Sequence, residues 1–177
     1  MFAKLAIVAL SSCLLTGISA AQIPTAGNVF FGYSYQSSNA YNSGGTGLNG
    51  WNGSLEGKIF PFVGIVADLS GYYGSQTIAP VNASVHEYNF LFGPRVSFSV
   101  RKFRPFAHAL FGASHASANG GGLSTSDTSF GDALGGGLDY RLVPLVGARV
   151  QVDDLQTRFY SGTQNNFRMS LGLVLHF

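Results

Sequence analysis

The chain is 177 residues long with a formal net charge of +2, and only 10% of its residues are charged. Soluble domains average about 25%, so a heavily charged, solvated surface is excluded, and the small net charge gives no strong attraction to polyanions such as nucleic acid. The lone cysteine, Cys13, excludes internal disulfides and a thiolate metal site.

The N-terminus, MFAKLAIVALSSCLLTGISAAQ, has one cation, Lys4, then an apolar run to Leu15, then Gly17 and the small residues Ser19, Ala20 and Ala21. This is the layout of a secretory signal peptide. Cleavage after Ala21 is expected, giving a leader over 1–21 and one domain over 22–177. A lipoprotein box at Leu10-Ser11-Ser12-Cys13 lies too early to be preferred. The run is also shorter than the ~20 residues of a membrane-spanning helix.

Beyond the leader, apolar residues recur at every second position. NVFFGYSYQ puts Val29, Phe31, Tyr33 and Tyr35 on one face. WNGSLEGKI sets Trp51, Leu55 and Ile59 against Glu56 and Lys58, and IVADLSGYY sets Ile65, Leu69 and Tyr73 against Asp68. EYNFLFGPRV opposes Tyr88, Phe90 and Phe92 to Glu87 and Arg95, and AHALFGAS opposes Phe111 to His108. LGGGLDY opposes Leu138 and Tyr140 to Asp139, and ARVQVD opposes Val150 and Val152 to Arg149 and Asp153. FRMSLGLVLHF closes the series, with Phe167, Met169, Leu171, Leu173, Leu175 and Phe177 against Arg168 and His176. Strict alternation of this length predicts strands, and eight of them.

The connections also alternate. Segments 37–50, 74–85, 115–128 and 154–164 are long and polar, whereas 60–62, 99–103 and 141–144 are short. That pattern predicts an all-β, eight-stranded antiparallel up-and-down transmembrane β-barrel with four long extracellular loops and short periplasmic turns. The apolar face carries no charge in the strand centres, and its nearest acids are Asp132 and Asp154. Aromatic ends at Tyr35, Trp51, Tyr73 and Tyr88, and at Phe98, Tyr140 and Phe177 with Ile59, read as two interfacial girdles. A soluble exported β-sandwich would show the same alternation but has no reason to sort its connections by length. A membrane sheet must close on itself, so the last strand is expected to pair with the first.

These features resemble the small outer-membrane β-barrel domain family, OmpA-like and Opa-like. YNFLFGPRVSF, RPFAHALFGASH and LGGGLDYRL look like its fourth, fifth and sixth strands. The resemblance spans the mature chain and implies a location in the bacterial outer membrane. It implies contact with outer-membrane lipid including lipopolysaccharide, recognition of the C-terminal strand by barrel-assembly machinery, and a monomer. The peptidoglycan-binding domain of larger relatives has no counterpart here, so cell-wall anchoring is not expected.

The inward charges Glu56, Lys58, Asp68, Glu87, Arg95, Asp139, Arg149, Asp153 and Arg168, with His108, are expected to pair into a plug, because an eight-stranded barrel is just wide enough for its own side chains. His115 and Ser117 resemble the His-x-Ser of outer-membrane lipid A deacylases, with His115 as base and Ser117 as nucleophile. That family's downstream Glu is missing, and only Asp127 and Asp132 lie near. No cofactor or metal is expected: His86, His108 and His176 lack ligand spacing, and GDALGGGLDY lacks the Lys-Ser/Thr of a phosphate loop. The expected function is a non-enzymatic, structural or surface-interaction role with an extracellular ligand unknown from sequence. The alternative is a lipid A-modifying hydrolase.

Overall fold

The computed structural model describes residues 26–38, 46–78, 81–120, 123–159 and 163–177. The expected leader, 1–21, lies outside the described residues. Eight strands follow in order: β1 (Gly27–Ser38), β2 (Thr46–Lys58), β3 (Val63–Ile78), β4 (Val81–Ser97), β5 (Phe103–Gly120), β6 (Leu123–Arg141), β7 (Val146–Thr157) and β8 (Gln164–His176). Each pairs antiparallel with its sequence neighbour, and β1 pairs with β8, so the sheet is a closed barrel. The closing seam runs from Asn28↔His176 to Ser37↔Phe167.

At that seam Gly32 and Gly172 stand opposite each other. A Cβ on Gly32 would come within 2.7 Å of Gly172 Cα, so the close approach of the two strands requires the missing side chains. The β4–β5 ladder is interrupted between Phe92↔Phe111 and Arg95↔His108, where Pro94 has no N–H to give.

The short turns at one end are tight. Phe60 and Val63 exchange both backbone hydrogen bonds (3.0 and 3.1 Å), and Val63 O also accepts from Ile59 N (3.0 Å), forming a bulge. Val143, Val146 and Leu142 repeat that geometry at 3.0, 3.2 and 3.0 Å. The two turns share a sequence pattern as well: Lys58-Ile59-Phe60-Pro61-Phe62-Val63-Gly64 matches Arg141-Leu142-Val143-Pro144-Leu145-Val146-Gly147.

The other end departs from expectation. Segments 74–85 and 115–128 are mostly paired strand, with Gly74↔Val85 through Ile78↔Val81 and His115↔Thr128 through Gly120↔Leu123. β4, β5 and β6 are 17, 18 and 19 residues long. Such a strand, tilted ~40°, rises roughly 45 Å along the barrel axis against an apolar band of about 25 Å. The polar composition that reads as loop is what a ladder carries when both its faces are wet. Backbone pairing needs no apolar face.

The two surfaces are inverted relative to a soluble protein. Phe31, Leu134 and Leu173 are 65%, 69% and 57% exposed, while Arg95, Asp68 and Arg168 are fully buried. A soluble sandwich does the reverse. The residues expected outward are outward, including the two aromatic girdles, and Asp132 and Asp154 lie on the same outer face. At the short-turn end Phe103 packs against Tyr140 (5.2 Å between centroids) and Phe62 against Phe98 (6.3 Å).

Candidate functional site: a filled lumen and an outward polar–aromatic rim

The lumen is packed with side chains in layers. Nearest the short turns, Glu56 meets Lys58 at 2.7 Å and Arg95 at 3.3 Å, and accepts from Asn28 Nδ2 at 2.8 Å. Arg149 grips both oxygens of Asp139 at 2.6 and 2.8 Å and donates to Asn28 Oδ1 at 3.0 Å. The guanidinium groups of Arg95 and Arg149 lie 4.3 and 4.7 Å from the centre of the Phe106 ring. This arrangement lets two like charges share a confined space.

In the middle layer Arg168 bridges Asp68 (2.8 Å) and Asp153 (2.6 Å). His108 Nε2 lies 2.7 Å from Asp153, and Gln151 donates to the same carboxylate at 2.9 Å. Val66, Leu91, Leu110, Ala133 and Leu155 form an apolar cluster within the interior, and Leu48, Val85, Ala116 and Phe159 are also buried.

The expected charges therefore all point inward, and most pair as expected. Glu87 does not. Its carboxylate accepts from Gln36 Nε2 at 3.0 Å and from Asn89 Nδ2 at 3.3 Å, and among the described residues no cation forms an ion pair with it. Register accounts for this: its neighbours across the ladders are Tyr72 and Ala116.

On the outer face His115 and Ser117 share no hydrogen bond among the described residues. They sit two positions apart on one strand, roughly 6.5 Å between Cα atoms, with His115 Nδ1 2.7 Å from Thr128 Oγ1. Asp132 lies opposite Phe111 and faces Arg158 at 3.8 Å, and Asp127 lies opposite Ala116 on the inward-facing row. Asp132 is thus engaged by Arg158 rather than by His115. What His115 does join is an aromatic patch: it stands opposite Tyr88, which contacts Tyr73 edge-on (6.0 Å), and Tyr73 in turn contacts His86 (5.4 Å). A groove of about 230 Å³ beside it is lined by Trp51, Leu69, Tyr88, Phe90, Ala113 and His115. Thr128 and His86 gave no signal in the sequence, because cross-strand register is not a local property.

Solved structures share this architecture. Neisserial surface protein A is 15% identical with a TM-score of 0.66, covering 86% of this chain and 96% of its own. Ail of Yersinia pestis, in complex with the heparin analogue sucrose octasulfate, is 16% identical with a TM-score of 0.62, covering 86% and 98%. The N-terminal β-barrel domain of Pseudomonas aeruginosa OprF is 15% identical with a TM-score of 0.54, covering 85% and 99%. The fold is that of the small outer-membrane β-barrels. With the apolar belt described above, the chain has the outer surface of a membrane-spanning β-barrel. No protein-family model matches the sequence, and no curated protein matches it either.

Proposed function

We propose that the protein is a non-enzymatic, monomeric outer-membrane barrel, exported by a cleaved 1–21 leader, whose task is carried by the β3–β6 extension above the membrane. The filled lumen is the observation that supports this reading most. Arg95, Arg149, Arg168 and their carboxylates occupy the axis, so a transport role has no path to use. The exposed surface left for function is the polar ladder, with lipopolysaccharide around its base and the barrel-assembly machinery as the partner that inserts it.

The ligand of that ladder differs in charge from the sulfated compound bound by Ail. On the extracellular side the sequence offers Asp127, Asp132 and Asp154 against Arg158 alone. A neutral ligand read by Ser, Thr and Asn hydroxyls and amides suits it better. The test is binding of whole cells to a panel of neutral and sulfated glycans, with and without the 74–85 and 115–128 hairpin ends shortened. Loss of neutral-glycan binding on shortening supports the reading. Unchanged binding in the shortened form, or altered lipid A in a deletion strain, overturns it.

A further inference from the structure

The near-neutral net charge conceals a strong axial asymmetry. Five of the ten lysines and arginines, Lys58, Arg101, Lys102, Arg104 and Arg141, line one cavity of about 130 Å³ at the short-turn mouth of the barrel. The acidic side chain that lines it, Asp139, has both oxygens engaged by Arg149 at 2.6 and 2.8 Å and lies 3.9 Å from His176, another lining residue. Lys58 is held by Glu56 and by Ser97 Oγ (2.6 Å). Arg104 has Nε 3.3 Å from Ser97 Oγ and Nη1 3.2 Å from His176 Nδ1. Among the described residues Arg101, Lys102, Arg104 and Arg141 form no ion pair. Gathering unpaired like charges into one small mouth is unfavourable by itself, and an anion seated among them relieves the repulsion.

The backbone supports the same placement. Arg101 has φ 56° and is the one non-glycine residue with positive φ among the described residues. It occupies the first central position of the Val100–Phe103 turn, where both Val100–Phe103 backbone bonds form (2.7 and 2.9 Å). Glycine is the residue favoured at such a position, yet here a guanidinium is carried at the cavity rim. A hydrogen bond from Arg141 N to Lys102 O (2.8 Å) ties the two cationic strand ends together.

A second cavity, about 300 Å³, shares Lys102, Arg141 and Pro144 with the first and is otherwise lined by Leu142 and Val143. A cationic cavity thus runs into an apolar one. Arginine guanidinium groups match phosphate oxygens in fork geometry, and the apolar extension matches the glycerol and first acyl carbons next to such a phosphate. We infer that the periplasmic mouth is a phosphate-binding site, held by Arg104, Arg141 and Lys102 and suited to a phospholipid headgroup of the surrounding leaflet.

The test is calorimetric titration of the membrane-extracted protein in dodecyl maltoside, in phosphate-free buffer. The probes are dihexanoyl phosphatidylglycerol below its micelle-forming concentration, sodium phosphate, and dihexanoylglycerol, which has no phosphate. Saturable binding of the phosphatidylglycerol, weakened about tenfold or more in R104Q/R141Q, is expected. R158Q, at the opposite end, changes it less than about twofold, and dihexanoylglycerol does not bind. Folding of each variant is checked by its heat-dependent gel migration, and single R141Q, at an exposed strand end, serves if the double variant does not fold. L142S/V143S weakens the lipid alone if the lipid is the source. Equal affinity for sodium phosphate, untouched by L142S/V143S, assigns the site to free phosphate and overturns the lipid part. Equal affinity in wild type and R141Q, or equal weakening in R158Q, overturns the site.

Discussion

Arg168 Nη1 lies 2.8 Å from Asp68 Oδ1, joining two residues 100 positions apart in the chain. The same guanidinium reaches Asp153 through Nε at 2.6 Å. One cation thus pairs with two buried acids, from β3 and β7, and links both to β8. Replacing it leaves two carboxylates in a confined space, which costs roughly 3–5 kcal/mol for a broken buried pair. R168L is expected to unfold at markedly lower urea than wild type, read by the fraction keeping the unheated gel mobility. A midpoint equal to wild type would show that lumen solvent carries the charge instead.

Arg149 poses a narrower question. Its fork on Asp139 depends on two parallel N–H groups, which a lysine cannot present. R149K keeps the charge and is expected to lose about 1–2 kcal/mol. R149L loses more, because Asp139 is then left without its guanidinium. If both variants match wild type in urea, the fork contributes nothing to stability.

The side chains across the lumen predict a closed pore. Planar-bilayer recording of the wild-type protein is expected to show no steady large conductance, since barrels with an aqueous channel have about 16 or more strands. A persistent open state would refute the plug.

Gly172 tests closure. A Cβ there meets the backbone of β1, so G172V is expected to refold poorly in detergent while retaining strand content by circular dichroism. Normal heat-dependent migration of G172V would mean that the β1–β8 seam tolerates a wider spacing than the structure shows.

Phe177 tests assembly rather than stability. It exchanges backbone bonds with Gly27 (2.9 and 3.1 Å) and presents its ring outward. Its deletion is expected to deplete the membrane form in cells and leave refolding into detergent nearly unchanged. Normal membrane levels would count against a recognition role for the closing strand.

The sequence by itself determined the strand number, the face of each residue and the end at which the tight turns lie. Alternation is a local consequence of the pleat: once a segment is extended, successive side chains must point to opposite sides. Thus Leu171 and Arg168 could be assigned to lipid and lumen without knowing their neighbours. Tertiary structure alone decided which residues meet. Register around a closed sheet is set by twist and stagger accumulated over all the strands, and one segment does not carry it. That is why Glu87 meets amides rather than a cation, why His115 finds Thr128 rather than Ser117, and why hairpin ends rich in Ser, Thr and Asn proved to be ladder. It is also why Lys58, Arg101, Lys102, Arg104 and Arg141, scattered over three chain segments, line one cavity. The turns that begin and end neighbouring strands are brought together only when the barrel closes.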